Sequence, residues 1–227
     1  MKTRSRPLPP HPKYRNMIVC LRTCLRTGII VVLLGAIGIM ATGCAPGAWP
    51  SGGLGTLGGT DYGVSPARPE IDIDALEQRI HQLANHERAK KGLVSLVWNP
   101  VLNKIARQHS RDMARRHFFA HTSPEGHDPA YRFSQHGFVC QVNAGSEVYM
   151  GAENIYETSH YKAIDYVNDI PTKTYWKDQE IIAQTIVKGW MSSPVHRKNL
   201  LDPAWQTQGI GVAISGDDRF YATQDFC

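Results

Sequence analysis

The chain has 227 residues, with 25 Lys or Arg against 20 Asp or Glu and a formal net charge of +5. The excess is local: residues 1–43 hold seven basic residues (Lys2, Arg4, Arg6, Lys13, Arg15, Arg22 and Arg26) and no acid, which leaves residues 44–227 slightly acidic. A mildly acidic body excludes nucleic acid as the partner, because that needs a clustered basic face, and the length allows one domain or two small ones.

The basic start leads into an apolar stretch over residues 28–42. At about fifteen residues it has signal-peptide length and is shorter than the roughly 20 residues of a membrane-spanning helix. Ala41-Thr42-Gly43-Cys44 follows. It resembles the lipobox of bacterial lipoproteins, in which the cysteine is acylated and becomes the first mature residue, although Ala41 stands where that motif prefers leucine. Residues 1–43 are therefore expected to be a lipoprotein signal peptide. Cys44 is expected to carry lipid (palmitate-type acylation) and hold the protein to a membrane, outside the cytoplasm in the cell envelope. An uncleaved anchor or ordinary cleavage is the alternative. Residues 44–70 are rich in Gly, Pro and Ser and have no hydrophobic period, so a flexible tether is expected.

Of the five cysteines, Cys20 and Cys24 lie in the segment to be removed and Cys44 is the lipid site. Cys140 and Cys227 remain, in an oxidising compartment, which suggests one disulfide. Two buried free thiols are the alternative.

The folded part is expected over 71–227. Asp74-x-x-Glu77 reads as a capping box, followed by Leu76, Ile80, Leu83 and Ala84 at helical spacing and a stop at Gly92. Val94 to Trp98 reads as extended. Asn99-Pro100 is an N-cap with Pro at the first helical position, and Leu102, Ile105, Ala106, His109 and Met113 line one face of a second helix. Asp128-Pro129 opens a short third helix ending at Gly137. Ile181, Ile182, Thr185, Ile186, Gly189 and Trp190 give a fourth. His196 then sits on what reads as a Pro-initiated turn. Residues 209–214 and 220–226 read as a β-hairpin around Gly216-Asp217-Asp218. Helices followed by strands imply an α+β domain with an antiparallel sheet.

Three short stretches place polar side chains on turns: HTSPEG at 121–126, GAENI at 151–155 and WMSSPVHRKNL at 190–200. Singly, each is ordinary. Their order is specific: HTSPEG, GAENI, W-x-x-SP-x-HR-x-N-L, GIGVA and Y-x-TQ-x-F, preceded by LANHERAKKGL and LVWNPVLNKIARQHSRDMA. Over about 74–227 this resembles the bacterial branch of the CAP superfamily, the SCP-like or cysteine-rich secretory protein family. The resemblance implies an α–β–α sandwich with a central antiparallel sheet. It also implies a concave cleft in which two histidines meet one or two acids. The matching positions are His121, Glu153 and His196. Many eukaryotic members carry a second Glu three residues after the tryptophan of the fourth helix; Ser193 stands there, and neither Asp178 nor Glu180 is an expected replacement.

Two imidazoles and a carboxylate suit a divalent cation such as zinc, with water completing the shell. The cleft is then expected to bind a metal, or an envelope ligand, peptide or glycan. The alternative is a metal-dependent peptidase with His121, Glu153 and His196 as its catalytic set and Glu153 as base. A purely structural polar network stands beside both. A lipid or sterol carrier, known among eukaryotic relatives, finds no amphipathic loop to support it. The remaining histidines (His81, His86, His117, His127, His136, His160) read as solvated, and His109 as a core or boundary residue. The aromatic-rich segment 156–179 either rims the cleft or forms a surface excursion packed on its own base, the latter being favoured.

Overall fold

In the computed structural model the described residues are 66–144 and 147–227. The expected signal peptide, the lipid site Cys44 and residues 45–65 of the tether lie outside them.

The first helix, α1 (Ile73–Ala89), is capped by Asp72, whose side chain accepts from the Ala75 amide. The cap therefore falls two residues before the expected Asp74. Asp74 instead pairs with Arg107, which also grips the buried Glu77. β1 (Val97–Trp98) leads into α2 (Pro100–Arg116), where the Asn99 side chain caps the amides of Val101 and Leu102 as the sequence suggested. α3 (Pro129–Gln135) is capped by Asp128. β2 (Val142–Ala144) and β3 (Glu147–Tyr149) form a small ribbon. Then come β4 (Ala152–Ser159), β5 (Tyr161–Val167), β6 (Ile170–Trp176), α4 (Gln179–Ser192), α5 (Pro194–Leu200), β7 (Thr207–Ile214) and β8 (Arg219–Phe226).

The main sheet has the order β1-β7-β8-β4. β7–β8 and β8–β4 are antiparallel, and the two-residue β1 runs parallel to β7, so the sheet is mixed where an all-antiparallel one was expected. Both faces are covered. Ile210, Val212, Phe220, Ala222 and Phe226 pack with Leu76 and Ile80 of α1 and Ile182, Ile186 and Trp190 of α4. On the other face, Ala213, Tyr221 and Ile155 meet Met113 and Ala114 of α2. The α2 contact is close: a Cβ on Gly209 would lie 2.1 Å from the Asn103 amide, and one on Gly211 1.9 Å from that of Arg107. The alternation of small with branched residues in β7 is thus the imprint of a helix lying directly on the strand.

Two local expectations are corrected, both around segment 156–179, the expected surface excursion. Segment 156–179 is largely ordered strand: β4 continues to Ser159 and β5–β6 is an antiparallel hairpin. At its base His160 is fully buried between Trp176 and Phe220, ring centroids 5.1 Å from each, and is not a solvated histidine. Burial, then the neighbouring Arg68, holds its imidazole below the usual range. Finally, the last residues of the tether are docked. Arg68 donates to His160 and pairs with Asp218 at 2.8 Å, and the Pro66 carbonyl accepts from the Trp176 indole.

Cys140 and Cys227 are bridged, with Cα atoms 5.6 Å apart, which ties the end of β8 to the loop after α3.

Candidate functional site

Four devices carry the site. Gly151 adopts φ +103, a region open to glycine at little cost, and a Cβ there would lie 2.6 Å from the Phe133 ring. That turn starts β4 so that Glu153 and Asn154 are buried. On the α2 side, the chain leaves α2 at the left-handed His117 and swings through His121. On the α4 side, Pro194 has no N–H and disfavours helical geometry at the residue before it. Ser193 is accordingly extended (φ −87, ψ 122) and the helix restarts as α5. His196 therefore rides on a short helix and not on a turn; what re-aims it is the break at Ser193. Lastly, β4 is an edge strand of the main sheet, and elements of both helical layers are bonded to its start: the 121 turn to the Glu153 side chain, and α5 to the Asn154 side chain and the Glu153 carbonyl.

His121, Glu153 and His196, far apart in sequence, are brought together there. His121 Nδ1 lies 2.8 Å from Glu153 Oε1. A carboxylate only accepts, so Nδ1 carries a proton, and in the neutral ring Nε2 keeps its lone pair. Glu153 Oε2 accepts from Arg132 Nη2 at 2.5 Å, and Arg132 Nη1 donates to the carbonyls of His121 and His127, each at 3.0 Å. The rings of His121 and His196 are 6.4 Å apart between centroids. Burial, then the nearby His121, lowers the His196 pKa, which favours the neutral, ligating form. The His121 side chain is 47% exposed, so the hollow is open to solvent.

α5 is pinned from behind. Asn154 Nδ2 donates to the His196 carbonyl at 3.0 Å and to Gln224 Oε1 at 3.1 Å. Asn199 reaches the Glu153 carbonyl at 3.3 Å and Asn154 Oδ1 at 3.0 Å. Arg197 donates to the Met191 carbonyl at 2.9 Å. Asn199 thus faces β4 and holds α5 to it. Glu180 makes a two-pronged pair with Arg79 of α1, and Asp178 caps α4, so neither enters the hollow.

A second acid is present that no sequence motif pointed to. Asp225 of β8 is the register partner of Glu153, so the two side chains are neighbours on one face of the sheet. It is fully buried, and among the described residues neither oxygen has a donor. Burial first, and then the charge of Glu153, raise its pKa well above the usual carboxylate range. A protonated Asp225 turns one oxygen into a donor toward Glu153 and removes the clash of two buried carboxylates. The signal that could have found it is an acid inside a strand whose two faces are both buried. Arg132, on a short and partly exposed helix, offered none.

For a metal, the donor set is two imidazoles. Among the described residues no three His, Cys, Asp or Glu side chains are grouped to hold an ion. Two imidazoles on one tetrahedral zinc put their centroids on the order of 5 Å apart. From 6.4 Å the rings need to close by roughly 1 Å, within reach of side-chain rotation. Glu153 does not join them. It orients His121 from behind, as carboxylates commonly do for metal-bound histidines.

A four-stranded sheet between helical layers, with two histidines held over the edge of one strand, defines the class of domain. The family model of the cysteine-rich secretory protein family (CAP) matches residues 81–226, and the chain belongs to that family. Two Bacillus subtilis proteins are similar to it. The uncharacterized protein YkwD is 29% identical over 144 residues, 63% of this chain and 45% of YkwD. The uncharacterized membrane protein YlbC is 31% identical over 150 residues, 66% of this chain and 34% of YlbC. The matched stretch thus spans under half the length of either relative. Among solved structures, an outer surface protein of Borrelia burgdorferi shares the fold, with TM-score 0.50 and 16% identity, covering 70% of this chain and 97% of that one. An extracellular SCP-domain protein of Bacillus anthracis aligns with TM-score 0.48 and 27% identity, covering 68% of this chain and 40% of that one.

Proposed function

We propose that this protein is an extracytoplasmic CAP domain, tethered to a membrane by lipid on Cys44, that binds a divalent cation between His121 and His196. One observation carries the reading: Glu153 holds the Nδ1–H of His121, leaving its Nε2 lone pair in an open hollow beside the low-pKa His196. Water completes the shell, and those open positions are where an envelope ligand, a peptide or a glycan would dock. Hydrolysis is the lesser reading. A base on metal-held water needs a free carboxylate, and both Glu153 oxygens already accept.

Zinc titrated into the purified chain at pH 7.5 is expected to bind one to one. His121→Ala abolishes this binding, and Glu153→Gln, which removes the charge and leaves one acceptor for two donors, weakens it by about 10–100-fold. No uptake by wild-type protein that remains folded would leave the cluster as a structural network. Cleavage of a peptide library by the zinc-loaded chain, lost in Glu153→Gln, would establish the peptidase instead. For the tether, Cys44→Ser is expected to move the protein from the membrane to the soluble fraction; retention in the membrane would show that something other than lipid at Cys44 holds it.

A further inference from the structure

A line of side-chain hydrogen bonds runs from the hollow across the α1 face of the sheet and ends on His81. Asn154, Gln224 and Gln208 are fully buried. Asn154 and Gln224 are register partners, and Gln208 is the diagonal neighbour of Gln224 on the same face. Asn199 Nδ2 donates to Asn154 Oδ1 at 3.0 Å, Asn154 Nδ2 to Gln224 Oε1 at 3.1 Å, Gln224 Nε2 to Gln208 Oε1 at 2.6 Å, and Gln208 Nε2 to His81 Nδ1 at 2.7 Å. The direction is set at the hollow end. The carbonyls of Glu153 and His196 only accept, so the nitrogens of Asn199 and Asn154 must face them. Every amide further along then presents its nitrogen toward His81, whose Nδ1 must be an unprotonated acceptor. The neutral ring therefore carries its proton on Nε2. That side faces a donor as well: Asn85 binds the Leu96 backbone with both ends of its amide, which leaves its Nδ2 3.3 Å from His81 Nε2. His81 is thus half-buried between two amides, where the sequence reads it as solvated. Its third neighbour is the Trp98 ring, and none of the three is charged. Glu77, one turn earlier on α1, is taken up by Arg107, Asn103 and the Val212 amide. Burial holds the His81 imidazole below the usual range.

We propose that His81 is a positioning residue for α5, and that its protonation is transmitted through Gln208, Gln224 and Asn154 to the bonds that hold His196 over the strand edge. A protonated imidazole has no acceptor. Its Nδ1–H takes an oxygen from Gln208, and turning that amide obliges Gln224 and then Asn154 to turn. The far end cannot follow, because the carbonyls of Glu153 and His196 still require nitrogens. One bond is therefore lost wherever the reversal stops. The charged imidazolium holds its oxygen most strongly. The two central links are buried, where no water relieves a mismatch. The loss accordingly falls on the partly exposed bonds of Asn154 to the His196 carbonyl and of Asn199 to Asn154, which are the ones that pin α5. Acid then loosens α5 from β4, and His196 with it, through a residue that does not touch the hollow. This coupling does not depend on the metal reading, and its test is run without metal.

The full chain in detergent micelles, with chelator present and with histidine, asparagine and glutamine side chains isotope-labelled, is followed by NMR from pH 8 to pH 4.5. At pH 8 the His81 nitrogens are expected to report a neutral ring with its proton on Nε2. As His81 titrates, the Asn154 side-chain amide is expected to shift with the same midpoint and the Asn199 amide to exchange its hydrogens several-fold faster. His196 titrates beside the same groups, so two variants separate the contributions. In Gln208→Glu the carboxylate accepts from both Gln224 and a protonated His81. The proton affinity of His81 should rise by about tenfold or more, and the Asn154 amide should stay unmoved at the new His81 midpoint. His81→Phe, at a half-exposed position, removes the titrating group and should remove its share of the Asn154 shift. A ring protonated on Nδ1 at pH 8, a His81 that does not titrate above pH 4.5, or an Asn154 amide still through the His81 midpoint overturns the proposal. So does a Gln208→Glu variant in which Asn154 still follows His81, or full retention of the Asn154 shift in His81→Phe.

Discussion

Asp225 shows how one residue's environment can reverse its ordinary behaviour. Its folded pKa is raised by burial and by Glu153, whereas in the unfolded chain it lies near 4. A raised folded value means that the folded state holds its proton more tightly than the unfolded chain does. The contribution is fully present below about pH 4 and declines as pH rises toward the folded value, at about 1.4 kcal/mol per pH unit. Asparagine keeps the shape and can donate to Glu153 without needing a proton. Asp225→Asn is therefore expected to unfold at a higher temperature than wild type at pH 7.5, with the gap closing toward pH 4. A variant less stable than wild type at pH 7.5 would show that Asp225 is ionised and partnered in the folded protein. His121, Glu153 and His196 were legible because each sits in a short motif of unusual residue types. Asp225 and Arg132 were not, since their roles come from what is packed against them.

Among the elements, β7 and α2 fix where everything else can go. Gly209 and Gly211 let α2 lie on the strand backbone, and α2 sets the start of the turn that carries His121. A methyl group on Gly211 would meet the backbone of Ala106 and Arg107, neither of which can rotate away. Gly211→Ala is expected to cost about 3 kcal/mol, the upper part of the usual overpacking range. Chemical denaturation checks this; a loss under about 1 kcal/mol would mean that α2 shifts freely, contrary to a close-packed interface. The helices were readable from their apolar spacing and from the caps at Asn99 and Asp128. The β5–β6 hairpin was not, because its strands are largely exposed and lack a clean alternation of buried and exposed positions. The second helical start at Pro194 was read as a turn for a related reason: seven residues are too few to show a period.

For the whole molecule, the disulfide and the edge strand act together. A bridge spanning 87 residues joins the loop after α3 to the end of β8, two residues beyond Asp225. Closing a loop of that size restricts the unfolded chain by about 4–5 kcal/mol in the entropy model. It also links the α3 side of the hollow to the strand beneath it. What the sequence determined alone is the composition of the layers and the identity of the motifs, because hydrophobic period, caps and short polar signatures are local properties. What only the tertiary structure decided is that Glu153 is spent on orienting His121, that Asp225 lies beneath it, and that a line of buried amides joins the hollow to His81. Those facts follow from strand register and from which helical layer meets which edge. Both are set by contacts between residues far apart in the chain, and no local pattern encodes them.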